Sequence, residues 1–381
     1  MKGLFLFIFS GLSFCAHAQV PAFAREIVDT LSSSAFWGRG YTRNGMHNAA
    51  GFLADQFKEI GLKPLNGSSF GQGFSYPANT FPGKMELRID GVVLEPGVDF
   101  IVAPESKGIK ARGNLIKIDS LHFADPQHNF VIELKDKLTW SVATEQAGYA
   151  MVQVNRHRVP SASSYHVRID ADFEPNFKAD NICGMVPGTE KPDSFLFITA
   201  HYDHLGGMGK HVFFPGANDN ASGVALLLQL AKYYAAHPAK YSMGFICFAG
   251  EEAGLIGSKY FVQHPLIPLS HIRFLINTDL AGTGEDGITV VNATEFPHAF
   301  SLMQSVNTDF HLLKAVNARG KAANSDHYFF TEAGVPSFFF YTLGGIQAYH
   351  DVYDKAATLP LNEQADLVSL IVQFYKRLLA K

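Results

Sequence analysis

The chain has 381 residues, long enough for a full catalytic domain and a smaller module. Hydrophobic residues are 47% and charged residues 17%, the balance of a globular protein with ample core. The formal charge is −4 and no basic tract stands out, so the sequence offers nothing to a nucleic-acid partner.

In chain order, Lys2 gives a short positive start, Gly3 to Phe14 is a mostly apolar run, and Ala16-His17-Ala18 fits the small-x-small cleavage rule. The run is too short for a membrane span of about 20 residues. Residues 1–18 are therefore expected to be a signal peptide cut after Ala18, making the protein secreted or periplasmic. An uncleaved anchor and a lipid on Cys15 are the alternatives, and Phe14 is a poor residue before a lipidated cysteine. Cleavage would leave Cys183 and Cys247, both in apolar stretches. Two buried thiols are favoured over one disulfide. No later segment reaches the length of a spanning helix.

Asn48 to Leu62 carries Ala49, Leu53, Phe57 and Ile60 on one helical face, with Gly61 as the stop. From 81 to 175 the texture changes to short β-prone runs such as MELRI, NFVIEL, YAMVQV and YHVRID, punctuated by Pro, Gly, Asn and Asp. This predicts a small β-rich insertion. After it, apolar runs (FLFITA, MGFICFA, IRFLINTDL, SFFFYT) alternate with helical faces: Val224, Leu227, Leu228 and Ala231, then Leu367, Leu370, Ile371, Phe374 and Leu378. Alternation of this kind predicts an α/β domain with a central sheet. The domain divides as 19–80 and 176–381, interrupted by the insertion.

In such a sheet, sites form where strands end and loops begin. FLFITA leads into His201-Tyr202-Asp203-His204, and MGFICFA into Gly250-Glu251-Glu252. IRFLI leads into Asn277-Thr278-Asp279, and SFFFYT, through a glycine-containing loop, into Tyr349-His350-Asp351. Asp219 lies in GANDNASG, just before the Val224 helix. One histidine among 16 means little by itself. Two histidines and three carboxylates at strand ends are too costly to bury unpaired, and a divalent cation is the natural compensation. The nitrogen and oxygen donors suit zinc, and a set without cysteine favours a catalytic over a structural ion.

Five ligands exceed what one tetrahedral zinc needs. One carboxylate bridging two zincs would give each metal three protein ligands and a place for a shared water, whose pKa two metals about 3.5–4 Å apart can lower. Asp203, two residues from His201 on an extended chain, suits a partner that fixes the tautomer of a metal-bound imidazole. Glu251 and Glu252 point different ways, so one can bind metal while the other takes a proton from the water.

AHYDHLG, GANDNASG, AGEEAGLIGS, NTDL and AYHDVYD, in this order and spacing, resemble the M28 family of zinc peptidases. The resemblance covers about residues 22–75 and 180–381, including SAFWGRGYTRNGMHNAAGFLADQFKEIGLKPL. It implies a mixed central sheet flanked by helices, with residues 81–175 as a PA-like module. It implies two zincs per chain: His201 and Asp279 on one, Glu252 and His350 on the other, Asp219 bridging both. It further implies Glu251 as general base and then acid, Asp203 as the partner of His201, and Tyr349 as a stabiliser of the oxyanion. His204, Asp326 and His327 fall in familiar stretches and read as supporting or packing residues.

The function so implied is an aminopeptidase acting on peptides. A carboxypeptidase or dipeptidase of the same family is one alternative, although nothing marks a cationic pocket for a substrate carboxylate. A glutaminyl cyclase, which shares the fold and uses one zinc, is a second. A non-catalytic binding domain is a third, and such relatives are expected to lose a ligand or the base, whereas this chain keeps all six residues.

Overall fold

The computed structural model describes residues 22–379. The expected signal peptide and its cleavage site lie outside them. The centre is a nine-stranded mixed sheet. Its middle strands, Tyr241–Phe248, Lys191–His201, Ile272–Thr278 and Ser337–Leu343, run parallel to one another. Asp172–Val186 flanks them antiparallel on one side and Gly287–Val291 on the other.

These strands read as continuous apolar runs because both faces are covered, as parallel sheets require. Leu196 and Ile198 face the larger core, with the helices Ala22–Leu31, Gly45–Ile60, Gly223–Ala236, Pro297–Phe310 and Gln364–Leu378. Phe195 and Phe197 face a second core with Phe261 and Phe330, carried by the helices Ile256–Gln263 and His327–Glu332. Helix Gly223–Ala236 is buried nearly all round, beyond the single face its sequence suggested. The predicted helix 48–62 runs Gly45–Ile60, and Gly61 ends it in the left-handed region (φ 90°), with the next amide, Leu62, bonding back to Phe57 O at 2.9 Å. Burial of Leu53 and Phe57 on this helix stabilises it by roughly 1.5–3 kcal/mol each.

Between Gly71–Thr80 and Asp172–Val186, which pair with each other, the chain forms a five-stranded and a four-stranded sheet. Their shared core of Leu87, Phe100, Phe123, Ile132, Val152 and Val167 is closed by Leu205, Met208 and Phe214. Those three residues belong to the segment that follows His201 in the α/β part, so the insertion and that segment share one packed interior. Strands 92–94, 109–114 and 122–125 lay outside the apolar runs read from the sequence, because two of them alternate and one is mostly exposed. Cys183 and Cys247 are buried free thiols on adjacent strands. Among the described residues no helix is long and apolar enough to cross a membrane.

Candidate metal centre

The carboxyl ends of the parallel strands converge. His201 is the last residue of its strand and Asp279 follows Ile272–Thr278 directly. Glu251 and Glu252 sit in the turn after Tyr241–Phe248. His350 hangs on the loop after Ser337–Leu343, and Asp219 lies in the irregular turn Ala217–Ser222 that opens helix Gly223–Ala236. His201 Nε2 is 3.4 Å from Asp219 Oδ1 and 3.3 Å from Asp279 Oδ2. His350 Nε2 is 3.1 Å from Asp219 Oδ2 and 3.2 Å from Glu252 Oε2. The five predicted ligands thus meet around Asp219, whose two oxygens face different histidines.

A sixth residue joins them. His204 Nδ1 lies 2.7 Å from Glu252 Oε1, and His204, Asp219 and Glu252 form a donor triad within 4.8 Å, as His201, Asp219 and Asp279 do. Two imidazoles therefore approach Glu252. They differ in their outer nitrogen. His350 Nδ1 lies 2.9 Å from the Trp140 carbonyl, which leaves Nε2 free to face the carboxylates. His204 uses Nδ1 on Glu252 itself, and its Nε2 is buried with no partner. The His350 arrangement is the one a ligating imidazole adopts, and His204 suits support of the Glu252 carboxylate.

The Asp203 carboxylate is hydrogen-bonded to the acidic turn and not to His201. It accepts the amides of Glu251 (3.2 Å) and Glu252 (3.3 Å), holding the acidic turn in place. The shorter contact to His201 Nδ1 comes from the Asp203 main-chain carbonyl, at 3.2 Å, with the carboxylate at 3.8 Å. Tyr349 is half-exposed and stacks on His350, with centroids 4.0 Å apart, at the rim of the site.

The electrostatics follow from burying so many acids together. Burial lifts Asp203 to about 7, with His201 opposing. Burial raises Glu251 well above the ordinary carboxylate range; His201 opposes and Glu252 adds to it. Burial would raise Glu252 too, but His350 and His204 hold it well below that range. Burial disfavours the charged form of His201, yet Asp279, Glu251 and Asp219 outweigh it and raise its pKa. His350 is likewise lifted to about 11, against burial, chiefly by Glu252. Asp279 Oδ1 is buried with no hydrogen-bond partner. An orphaned carboxylate oxygen beside imidazole nitrogens and shared carboxylates is a donor set that fits zinc.

Several supporting residues escaped the sequence reading. Arg39 is fully buried and donates to the carbonyls of Leu31 (2.9 Å), Tyr202 (2.7 Å), Pro215 (2.8 Å), Gly216 (2.8 Å) and Asp219 (3.1 Å). Its signal was the Gly38-Arg39-Gly40 frame. A Cβ on Gly38 would lie 2.5 Å from Gly206 O, and one on Gly40 2.3 Å from Gly206 Cα, so two backbones pass in contact there. Asp354, the last acid of AYHDVYD, accepts the amides of Asn218 (2.8 Å) and Asp219 (3.0 Å). Ser325 donates to Asp279 Oδ2 at 3.2 Å and accepts from Asn277 Nδ2 at 2.8 Å.

Residues 181–375, just over half of the chain, match the model of Peptidase family M28. An aminopeptidase of Bacillus subtilis, YwaD, is 30% identical over 172 residues, 42% of this chain and 35% of its own. The chain spans about a third of the length of the first curated relatives it matches (35% and 30%). Among solved structures, BSAP, a zinc aminopeptidase from Bacillus subtilis, superposes with a TM-score of 0.69 at 17% identity, covering 94% of this chain and 96% of that one. An aminopeptidase from Aneurinibacillus sp. strain AM-1 gives 0.65 at 19%, covering 92% of both. The extent of the family match, carried by the segment that holds all five converging residues, settles the grouping: this chain belongs to Peptidase family M28.

Proposed function

We propose that the protein is a dinuclear zinc aminopeptidase that removes N-terminal residues from peptides. The single observation that carries this reading is the sharing of Asp219 between His201 with Asp279 and His350 with Glu252. His201 and Asp279 would hold one zinc, Glu252 and His350 the other, and Asp219 both. Bound zinc supplies Lewis acidity, lowering the pKa of water and polarising a carbonyl.

The chain's own residues do the rest. Glu251, raised by burial, takes a proton from the attacking water and returns it to the leaving amine. Asp203 fixes the Glu251 and Glu252 amides, so base and ligand keep separate directions. The ring of Tyr349 on His350 places a phenol at the rim, where it can donate to the oxyanion. The aminopeptidase names of the relatives favour this polarity over a carboxypeptidase or dipeptidase, and the complete two-metal donor set favours it over a glutaminyl cyclase. The protein acts outside the cytoplasm, a proposal resting on Lys2, the apolar run and Ala16-His17-Ala18.

The test is metal analysis with a panel of aminoacyl-nitroanilides, with and without chelator. Two zincs per chain and chelator-sensitive release of nitroaniline are expected. Absent turnover, with ammonia released from N-terminal glutamine and one zinc per chain, overturns the proposal. N-terminal sequencing of the exported protein, expected to begin at Gln19, tests the leader.

A further inference from the structure

The residue that fixes the outer nitrogen of His350 does not belong to the α/β domain. It is Trp140, 210 positions earlier, in the β-rich insertion. The contact is reciprocal: the Trp140 amide donates to the His350 carbonyl at 2.9 Å, and the Trp140 carbonyl lies 2.9 Å from His350 Nδ1. Three residues upstream, Lys137 Nζ donates to the Gln347 carbonyl at 3.1 Å and pairs with Asp351 at 3.7 Å. The insertion therefore grips the loop on both sides of His350. That loop, 344–350, has no regular secondary structure and starts with two glycines at positive φ, so it carries little order of its own.

The gripping segment is itself anchored. The Trp140 indole donates to Val102 O at 2.8 Å and stacks on Phe214 at 4.6 Å. The Ala143 carbonyl accepts Asn79 N at 2.9 Å. Phe214 lies between His204 and Asp219 in sequence and closes the insertion core. The insertion thus contacts both the segment between His201 and Asp219 and the His350 loop.

We infer that Lys137–Trp140 is the positioning element for His350, so that the insertion sets metal affinity at the Glu252 side of the centre. The inference rests on the reading of His350 as a metal ligand. An Nδ1–H held by a backbone carbonyl fixes the tautomer and aims Nε2 at Asp219 and Glu252. Linkage makes the coupling reciprocal: metal bound at His350 must also hold the segment.

Two measurements test it on the full chain. Lys137→Met removes both Lys137 tethers from an exposed side chain, and Trp140→Phe keeps an aromatic ring but drops the bond to Val102. In competitive chelator titrations with zinc, each variant is expected to weaken one of two zincs about 10–100-fold, the scale for losing an outer partner of a ligand. The other zinc should be unaffected, and Lys137→Arg should restore affinity. In the wild type, hydrogen exchange of the Trp140 amide is expected to slow on zinc addition, while amides of Ile109–Asn114 do not respond. Unchanged affinities in both variants, or a Trp140 amide indifferent to zinc, overturn the inference. A wild type that takes a single zinc defeats only the two-metal reading, because the exchange experiment still reports whether metal and segment are coupled.

Discussion

Arg39→Met tests whether the site is held by a guanidinium that touches no side chain of the proposed metal ligands. Burial lowers the Arg39 pKa to about 10, with Asp219 and Asp354 opposing, so it stays protonated at neutral pH. Its five bonds tie the end of helix Ala22–Leu31 to the loops after His201 and before Asp219. Gly216 O keeps a second partner in the Ala221 amide, at 3.3 Å. The other four carbonyls would lose a charged donor. At about 1–3 kcal/mol for each buried group left unsatisfied, and with water refilling part of the space, the net loss is about 4 kcal/mol. That is on the scale of breaking a buried ion pair. With an unfolding entropy of about 2.1 cal/mol/K per residue, or about 0.8 kcal/mol/K for 381 residues, the melting temperature should fall by about 5 °C. Calorimetry at saturating zinc measures it. Arg39→Lys should fall between the two, since a point charge cannot span carbonyls from separate segments. A Met variant melting within 1 °C of wild type would refute the reasoning.

Glu251→Gln should keep the wild-type metal content and lose about 10²–10⁴ in kcat, because only proton transfer is removed; metal analysis beside steady-state kinetics checks it, and near-normal kcat would dismiss Glu251 as the base. Glu252→Ala should instead bind one zinc fewer, read by metal analysis after dialysis. His327 is buried against Phe339, and burial lowers its pKa from 6.5 to about 4. The folded state then binds fewer protons than the unfolded state between those values, so stability contributed by the neutral ring is present above pH 6.5 and is lost as pH falls toward 4. Between pH 7 and pH 5 the wild type should lose about 2 kcal/mol more than His327→Gln, measured as urea midpoints on the metal-free protein.

Much of this was legible from sequence because the site sits where the fold is most regular. Each central strand is buried on both faces, so it reads as an apolar run with a sharp end, and the chemistry begins at that end: His201, Glu251 with Glu252, and Asp279. Asp219 and His350 needed only the motif spacing to be drawn in. The supporting residues were not legible in the same way. Arg39 acts through backbone carbonyls, which carry no side-chain signature. The Asp203 carboxylate serves two amides and leaves the nearest contact with His201 to its own main chain. His204 and His350 are indistinguishable as residue types; the bond made by the outer nitrogen separates them.

The insertion marks the boundary most clearly. Its short β-prone runs were legible in the sequence alone. That its Trp140 carbonyl meets His350 follows from no local pattern, because the two residues are 210 positions apart and joined by backbone. Strand ends, donor types and their order were determined by the sequence, since burial and ligand chemistry act through side chains. The assignment of outer partners was decided only by the tertiary structure, since it depends on which main-chain atoms the folded loops bring within hydrogen-bond reach.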